Sequence, residues 1–345
     1  MTTRPSVLGI SPYRYPKGWF QVGWSDEIPP GELKLVHYFG EDLVMFRTAS
    51  GRLSVIDAYC QHLGMNIGVG GRVEGENVVC PWHGWHWDAD GCNALIPYSK
   101  EKRKSKIAIR SYPVREWYGV VLVWHERDGG DPEWEPPSVS ELESGEYYPI
   151  GPTVRAVHRI KAHPQMVLEN AADPYHVSYV HGNEEIPETL RFEFDGPMFR
   201  AWVAMTYGAG KESTWLTPHG PVRATLEYGQ YGIGQGFVRW PKELIPTVQI
   251  TNVTPVDDLY SDYWFCQASI REPGDDGDEP TGRARKFVEL QKVVITQDFF
   301  TWENMKYLDK PNFATEEAKD YAAVRRWAHQ FYPADVQPEG LFADR

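Results

Sequence analysis

Short apolar runs separated by turn-forming residues dominate the first third of the chain. The runs Leu43–Thr48 and Leu53–Asp57 flank a Ser50-Gly51 turn, which is the pattern of two strands joined by a tight connection. Two further runs, Asn77–Cys80 and Gly119–His125, are also rich in β-forming residues. The pattern therefore predicts a mostly β region that ends with the last of these runs.

The pattern changes beyond this region. Residues 126–149 are rich in Gly, Pro and acidic residues and predict a linker. Pro164–His181 is predicted to be helical with a break at Pro174, and residues 190–270 alternate again in the manner of strands. The acidic run Glu272–Pro280 predicts an exposed loop, because blocks of like charge favour solvent.

Two helical segments are predicted near the end of the chain. Gly282–Tyr307 has a helical period of about 3.6 residues, carried by the apolar residues Phe287, Leu290, Val293 and Val294. A second helix is expected to begin at Thr315, with Glu316 and Glu317 in its first turn, and to end before Pro333.

A chain of 345 residues has room for two domains, since domains average about 150 residues. We expect an N-terminal segment at residues 1–17, a first domain at 18–125, a linker at 126–149 and a second domain at 150–345.

The excess of acidic over basic residues limits the kinds of partner that the protein is expected to bind. The chain has 35 basic and 48 acidic residues and a net charge of −13. This argues against a nucleic-acid-binding protein and against a polybasic membrane anchor. Aromatic residues make up 14% of the chain and include 14 Trp, which indicates bulky cores and an apolar pocket.

Localisation signals are absent from the sequence pattern. No apolar run approaches the length of about 18 residues that a membrane-spanning helix needs, and the N-terminal residues lack the apolar core of a secretory signal. The four Cys are too few for a disulfide scaffold in a chain of this length, so metal binding or catalysis is the better interpretation. We expect a cytoplasmic protein without a membrane span.

Four residues form the first chemical motif: Cys60, His62, Cys80 and His83. The spacing is C-x-H, then seventeen residues, then C-x-x-H. Two thiolates and two imidazoles suit zinc or an iron–sulfur cluster. Zinc fingers usually pair Cys with Cys and His with His, whereas each pair here is mixed. A Rieske [2Fe–2S] centre needs two Cys on one iron and two His on the other, which mixed pairs from two loops provide. A structural zinc site is the alternative.

The strings YCQHLGMNIG and CPWHGWHWDADG resemble the Rieske domain of the Rieske non-haem iron oxygenases, over roughly residues 18–125. The resemblance implies an α+β protein, with an N-terminal all-β Rieske domain and a C-terminal helix-grip catalytic domain, an antiparallel sheet with helices. It also implies that the four motif residues bind the [2Fe–2S] cluster. Cys92 lies outside the motif and is expected to be a small buried apolar residue.

A second motif lies in the segment ENAADPYHVSYVHG. His176 and His181 are five positions apart, so on an ideal helix they would not share one face. They can meet at one ion if the helix loosens between Pro174 and Gly182. Two His and one carboxylate are the facial triad of non-haem Fe(II) oxygenases, and a Rieske centre upstream requires an electron acceptor of this kind.

The resemblance also assigns roles to two acidic residues. In D-x-x-H-x₄-H the Asp is Asp173, which in this family bridges an iron His to a Rieske His of the neighbouring subunit and so implies a homotrimer. The third iron ligand comes from a late helix, where Asp298 lies among apolar residues that would make an unpaired carboxylate costly. A solvated Asp298 is the alternative, and Glu303 is the rival ligand.

Three further residues are candidates for the surroundings of the iron. Asn170 is close enough in sequence to hydrogen-bond near the His pair. Trp302 follows Asp298 by one helical turn on the same face and is expected to line the substrate pocket. Ala171 is small and would leave room for substrate.

The strings YCQHLGMNIG, GCNALIPYS, QDFFTWENMKYLDKPNF and VRRWAHQFYP are similar to the oxygenase components of 3-ketosteroid 9α-hydroxylases and their relatives, which include sterol desaturases. The resemblance implies a mono-oxygenase that hydroxylates a hydrophobic, steroid-like substrate with O₂, 9α-hydroxylation being the first choice. It implies NADH-derived electrons from a separate flavin and [2Fe–2S] reductase, because this chain has no G-x-G-x-x-G after a strand.

Two alternatives stay open. One is another Rieske oxygenase reaction: aromatic dihydroxylation, oxidative demethylation or sterol desaturation. The other is a Rieske electron-transfer protein without catalytic iron, which would contain two iron atoms per chain rather than three.

Overall fold

The regular secondary structure of the first unit of the chain consists of short strands and one 3₁₀ turn. The computed structural model describes residues 15–308 and 310–333. Contacts divide them into one unit at Trp19–Glu133 and a second that includes the described residues from Trp134 onward. The domain bounds predicted from the sequence stay a prediction.

The first unit is built from three antiparallel sheets, ordered β1-β11-β10, β2-β3-β4-β9 and β5-β6-β7-β8. The strands are β1 (Gly18–Trp24), β2 (Leu33–Tyr38), β3 (Glu41–Arg47), β4 (Leu53–Asp57), β5 (Arg72–Glu74), β6 (Asn77–Val79), β7 (His86–Asp88), β8 (Asn93–Leu95), β9 (Ser111–Tyr112), β10 (Val114–Trp117) and β11 (Val120–His125). The four strands predicted here are confirmed.

The hairpin of β3 and β4 shows how the sequence sets the register. Leu43 pairs with Asp57 and Arg47 with Leu53, so the strands meet at the predicted turn. Gly51 has φ +96°, a backbone conformation that residues with a side chain rarely adopt. Val44, Phe46 and Ile56 from this hairpin belong to a buried core that also contains Cys60 and Cys80. The hairpin therefore supports the loops of the first motif.

The second unit contains one antiparallel sheet of seven strands, ordered β12-β18-β17-β16-β15-β14-β13. The strands are β12 (Arg155–Ile160), β13 (Glu188–Asp195), β14 (Met198–Tyr207), β15 (Val222–Tyr231), β16 (Gln235–Trp240), β17 (Thr247–Pro255) and β18 (Ser261–Ser269). The strands predicted between residues 190 and 270 are confirmed, whereas β12 was not expected. The helices of the second unit are α1 (Ser140–Glu143), α2 (Pro164–Glu169), α3 (His176–Val180), α4 (Gly282–Gln297), α5 (Phe299–Asn304) and α6 (Thr315–Ala328). The α+β class, with an all-β first part and helices on an antiparallel sheet in the second, is confirmed.

The predicted break near Pro174 is confirmed. A 3₁₀ turn follows α2 and ends at Ala172, and α3 begins only at His176. Asp173, directly before the proline, has the extended angles φ −112° and ψ 91°. Proline crowds the preceding residue out of the helical region, so the chain separates two short helices at this point.

The late helix differs from its prediction. Instead of one helix from residue 282 to 307, α4 ends at Gln297 and α5 begins at Phe299, with Asp298 at the junction. Val293, expected on the apolar face, is 61% exposed, because the buried face of α4 is formed by Phe287, Val288 and Ile295. The helix that begins at Thr315 and ends before Pro333 is confirmed.

Two smaller observations complete the fold. Cys92 is exposed, so the expectation that it is a buried apolar residue is wrong. It lies directly before β8, and its N–H donates to the Asp88 carboxylate in a surface turn. Among the described helices, none has both the length and the apolar character needed to cross a membrane.

Candidate metal centres and cavity

The two loops of the first motif are built alike. In each loop the Cys N–H donates to the carbonyl five residues on, and the Cys carbonyl accepts from the N–H of a glycine four residues on. These glycines are Gly64 with φ +77° and Gly84 with φ +69°. The left-handed turns allow the backbone to fold tightly around Cys60 and Cys80, so both thiols are held at equivalent places in equivalent loops.

The four side chains of this motif lie together. Cys60 and Cys80 are buried, whereas His62 and His83 are partly exposed, and the two imidazole centroids lie 4.6 Å apart. Burial, helped by the neighbouring Cys80, raises the pKa of the Cys60 thiol to about 11. Two buried thiols and two partly exposed imidazoles provide the donor set that a Rieske cluster requires.

Aromatic residues surround the motif and fit a cluster at this place. His62 stacks on Trp85, with ring centroids 4.6 Å apart and an interplanar angle of 5°. The Trp87 indole N–H is buried beside the Cys60 thiol. An indole N–H beside Cys60 is suited to donate to a thiolate or sulfide, and such bonds tune iron–sulfur clusters.

The second motif forms one compact group of ligand atoms. One ligand atom from each of His176, His181 and Asp298 lies within 4.8 Å of the others. His181 Nε2 is 3.4 Å from Asp298 Oδ1, and the two imidazole centroids are 5.4 Å apart. The structure therefore brings together the three residues that the sequence analysis selected. Glu303, the rival, accepts from the Lys161 N–H at 3.4 Å and is not part of this group.

Local breaks in the helices explain how these ligands meet. His181 follows α3, with ψ −3°, and Gly182 turns the chain at φ +69°. Asp298 lies at the junction of α4 and α5, and within the described residues its carboxylate makes no capping hydrogen bond. Because its carboxylate is only 12% exposed, Asp298 is a buried acid directed at two imidazoles rather than a solvated helix residue.

Neighbouring side chains hold the two imidazoles differently. His181 Nδ1 is 2.8 Å from Gln297 Oε1, which leaves Nε2 facing Asp298. Burial alone would lower the pKa of His181, but the hydrogen bonds with Asp298 and Gln297 raise it above its ordinary value. For His176, burial dominates and lowers the pKa, which favours the neutral imidazole that metals require.

Asp173 and Asn170 both lie beside His176. Asp173 Oδ1 accepts from the N–H groups of Tyr175 and His176, and Asp173 Oδ2 lies 3.8 Å from His176 Nδ1. That Nδ1 is buried and has no hydrogen-bond partner among the described residues. Asn170 Nδ2 lies 3.2 Å from His176 Nε2, on the opposite side of the ring.

A cavity of about 390 Å³ opens beside the three ligands. Its size falls in the range of about 300–1,000 Å³ typical of small-molecule sites. Ala171 and Trp302 lie in its wall, and their role as substrate-pocket residues stays a prediction. Aromatic side chains from the sheet form much of the remainder: Tyr207, Tyr228, Phe237, Trp240 and Tyr263.

The sequence analysis missed several residues of this site. Gln297 was overlooked although it precedes Asp298 directly, and that adjacency is the one signal that was present. The cavity residues on the strands carry no motif, because any alternating strand offers side chains of the same kind. Their role becomes visible only from the register of the seven-stranded sheet.

Comparison with known proteins agrees with both halves of this description. Residues 18–113 match the Rieske [2Fe-2S] domain, and residues 123–332 match the 3-Ketosteroid 9alpha-hydroxylase C-terminal domain. The expected iron–sulfur cofactor is thereby confirmed, and so is the expected resemblance.

Two curated relatives cover nearly the whole chain. Cholesterol 7-desaturase nvd 1 of Ciona intestinalis is 30% identical over 92% of this chain and 69% of its own length. The oxygenase component of 3-ketosteroid-9-alpha-monooxygenase of Rhodococcus rhodochrous is 27% identical over 96% of this chain and 88% of its own length.

Solved structures share the fold at low identity. Dicamba monooxygenase with non-heme iron and dicamba has a TM-score of 0.64 and 18% identity, over 92% of this chain and 96% of its own. At this identity the likeness shows the fold alone.

Proposed function

Because this chain belongs to the family of Rieske oxygenases with a 3-ketosteroid 9α-hydroxylase C-terminal domain, we propose that it is the terminal oxygenase of a steroid-oxidising system. Its reaction inserts one oxygen atom of O₂ into a C–H bond of a hydrophobic, steroid-like substrate, with 9α-hydroxylation of a 3-ketosteroid as the first choice. The observation that carries the proposal is the group of two His and one Asp beside an aromatic-lined cavity of about 390 Å³.

In this proposal His176, His181 and Asp298 hold a mononuclear Fe(II). Two imidazoles and one carboxylate are the protein ligands typical of such an iron site, and all three side chains line the cavity, where they would present the metal to substrate. When bound, the iron supplies the activation of O₂ that no side chain of this cavity can provide. Gln297 Oε1 accepts from His181 Nδ1 and keeps that ring oriented, and Asn170 Nδ2 lies 3.2 Å from His176 Nε2.

The cavity wall supplies the binding of substrate and the exclusion of water. Tyr263 and Trp302 pack with their ring centroids 5.8 Å apart, and both belong to a buried apolar cluster. A rigid apolar substrate gains by leaving water in such a cavity, and the wall holds its C–H bonds near the open side of the ligand group.

Electron delivery is assigned to the first motif. Cys60, His62, Cys80 and His83 would hold the [2Fe–2S] cluster, which passes single electrons to the catalytic centre when bound. The partner that loads it is a separate reductase with flavin and [2Fe–2S] that uses NADH. A relative of this chain is itself an oxygenase component, which supports such a division of labour.

A homotrimer is part of the proposal, with Asp173 as the link between a His176 ring and a Rieske His of the neighbouring subunit. Three large apolar side chains near the two Rieske imidazoles are exposed: Leu63 by 60%, Trp82 by 57% and Tyr98 by 63%. Exposed apolar side chains in one patch favour a surface that a neighbouring subunit covers. Native mass spectrometry of the holoprotein tests this assembly: a mass of three chains supports it, and a monomer contradicts it.

Desaturation is the second candidate reaction. It is favoured by the cholesterol 7-desaturase of Ciona intestinalis, which is 30% identical to this chain. Hydroxylation and desaturation need the same ligands and cavity, so the product distinguishes them.

A single turnover tests both reactions. The holoprotein is reduced with dithionite, mixed with a 3-keto-4-ene steroid or with cholesterol, and exposed to O₂ before mass spectrometry of the organic extract. A product heavier by one oxygen supports hydroxylation, and a product lighter by two hydrogens supports desaturation. Unchanged steroids, from protein with three iron atoms per chain, would overturn the assignment of a steroid substrate.

A further inference from the structure

The densest run of positive charge in the chain lies in one exposed loop of the first unit. Residues 100–106 contain five basic residues and one acid, a net charge of +4 in a chain whose own net charge is −13. We call this segment the basic loop. All of its basic side chains are exposed: Lys100, Lys102, Arg103, Lys104 and Lys106.

Most of these cations are not neutralised by a nearby acid. Lys104 Nζ lies 3.3 Å from Glu101 Oε2, within the loop itself. Within the described part of the chain no ion pair involves the other four, Lys100, Lys102, Arg103 and Lys106. Exposed charges without a partner direct their field toward solvent and toward any charged molecule that approaches.

The backbone of the basic loop is fixed to the core that holds the first motif. Asn93 is only 3% exposed, and its Oδ1 accepts from the Lys104 N–H at 2.8 Å. The Ile96 N–H donates to the Lys102 carbonyl. Ile96 belongs to the same buried core as the two thiols of the first motif. The charges are therefore held at a defined place relative to those thiols.

Two aromatic contacts connect the start of this loop to the first motif. Tyr98 precedes Lys100 by two residues, and its hydroxyl accepts from Trp85 Nε1 at 2.9 Å. The Trp85 ring stacks on His62, with ring centroids 4.6 Å apart. A protein bound at the basic loop is therefore close to a residue assigned to the [2Fe–2S] cluster.

The charge and the position of the loop together select a class of partner. Nucleic acids and anionic membranes also attract cations, but the net charge of −13 repels both, and neither needs contact with a cluster ligand. An acidic electron-transfer protein is attracted by the loop and has to approach the cluster. Opposite charges on two surfaces raise the rate at which the proteins meet and fix how they are oriented.

We propose that the basic loop is the docking site of the electron donor, and that the donor presents an acidic surface around its own redox centre. One electron leaves the reduced donor and is gained by the oxidised [2Fe–2S] cluster of the first motif, and no covalent bond forms or breaks. This inference rests on the proposed function, because it locates the surface at which the separate reductase delivers its electrons. Tyr98 belongs to the apolar patch assigned above to a neighbouring subunit, so the donor binds beside that contact.

An acidic carrier of known chemistry tests the docking site. The probe is a plant-type [2Fe–2S] ferredoxin, whose potential is low enough to reduce a Rieske cluster. Rapid-freeze electron paramagnetic resonance of the holoprotein measures the rate of reduction, and calorimetry measures the Kd of the oxidised ferredoxin, where no electron moves. We expect both the rate constant and the affinity to fall as ionic strength rises from about 0.01 to 0.5 M, because salt screens exposed charges.

The decisive variant, here called the loop variant, combines Lys100→Gln, Arg103→Gln and Lys106→Gln. At low ionic strength it should be reduced by ferredoxin at least about tenfold more slowly than the wild type, which is the lower end of the range for electrostatic steering. Its Kd for oxidised ferredoxin should rise by a similar factor. Lys100→Arg combined with Lys106→Arg keeps the charge and should keep both wild-type values.

A matched control removes the same amount of charge from the second unit. It combines Lys211→Gln, Lys242→Gln and Lys286→Gln, all at exposed positions, and should change the rate by less than about twofold. Photoreduced 5-deazariboflavin, a small uncharged reductant, needs no docking surface. It should reduce the wild type, the loop variant and the control at equal rates.

The outcomes separate docking from the cluster itself. Equal ferredoxin rates in the wild type and the loop variant, or equal losses in the loop variant and the control, overturn the inference while the proposed function stands. Slow reduction of the loop variant by both reductants also overturns it. Vesicles of phosphatidylglycerol that bind the wild type but not the loop variant, with unchanged ferredoxin rates, would assign the loop to a membrane instead. A wild type that neither reductant reduces contradicts the proposed function.

Discussion

The two metal centres of this chain are assembled by different means. The first takes its four residues from two neighbouring loops, within residues 60–83, and both loops repeat the same backbone hydrogen bonds. The second takes two His from a broken helix and one Asp from a helix junction at the far end of the chain. In the first centre the backbone bonds of one short region position the ligands, whereas in the second a broken helix, a helix junction and the contact of Gln297 with His181 act together.

The contrast shows where each centre is vulnerable. The loops around Cys60 and Cys80 have their own backbone bonds and a buried core beneath them, so distant substitutions should matter little. The proposed iron ligands, by contrast, lie on helices that are remote in sequence. Loss of a contact far from the ligands should therefore disturb the ligand positions of the second centre more than those of the first.

The largest expected effect comes from removing one ligand of each centre. Asp298→Ala should abolish turnover and lower the iron content from about three to two atoms per chain, with the red-brown [2Fe–2S] absorption kept. Cys80→Ser should remove that absorption and leave about one iron atom. Iron analysis and visible absorption spectra of the two variants measure these changes in iron content and in the [2Fe–2S] absorption.

Glu303→Gln is the matched control for the first of these variants, because Glu303 is a nearby acid outside the ligand group. It should keep three iron atoms. An Asp298→Ala variant that also kept three iron atoms would remove Asp298 from the ligand set.

A buried ion pair beneath the iron ligands should produce the next largest effect. Arg325 Nε and Nη2 donate to both oxygens of Glu169 at 3.0 and 2.7 Å, and both side chains are at most 10% exposed. This pair joins α6 to the end of α2. Glu169→Ala leaves a buried guanidinium without its acid and should lower the free energy of unfolding by about 3–5 kcal/mol.

The corresponding pair of the first unit provides the comparison. Arg47 bonds to Glu116, whose side chain is 42% exposed, and Arg47 also donates to the carbonyls of Ile28 and Gly51. The Arg47 side chain is itself only 10% exposed, but Glu116 is partly solvated and the carbonyl partners of Arg47 stay in place, so Glu116→Ala should lower the free energy of unfolding by about 1–2 kcal/mol, less than Glu169→Ala. Urea unfolding of both variants measures the difference, and equal losses would contradict the contrast drawn between the two units.

The same contrast explains how much could be predicted from the sequence. The first motif could be recognised in the sequence because its residues are close in the chain and their spacing reflects the backbone of two tight loops. His176 and His181 could be recognised as a pair, but the choice of Asp298 over Glu303 as the third candidate ligand needed the family resemblance. The break at residue 298 was missed, because the apolar period of the late helix continues through it. The part of the cavity wall that the strands form was not predictable, since it depends on the register of strands that are distant in sequence.

A smaller effect is expected from the residue that orients His181. Gln297 Oε1 lies 2.8 Å from His181 Nδ1, and loss of such an outer contact typically weakens metal binding about 10–100-fold. Gln297→Ala should weaken Fe(II) binding by this factor while leaving the [2Fe–2S] absorption unchanged. Titration with Fe(II) after selective removal of the mononuclear iron measures it. Lys286→Ala, on the exposed side of α4, is the control and should bind Fe(II) normally.

The smallest expected effects include those at three glycines beside the two centres, Gly64, Gly84 and Gly182. Gly64 and Gly182 have φ +77° and +69°, and a Cβ at either place would meet nothing within 4 Å. Alanine at either position therefore pays only for the left-handed backbone, about 1–2 kcal/mol. Gly84, with φ +69°, differs because its Cβ would lie 3.3 Å from Pro97 Cγ. Gly84→Ala should therefore destabilise more than Gly64→Ala in urea unfolding, and Gly64→Asn less, since Asn tolerates this conformation. If Gly64→Asn were as costly as Gly64→Ala, backbone conformation alone would not explain the glycine, and the equivalence of the two loops would have to rest on their contacts instead.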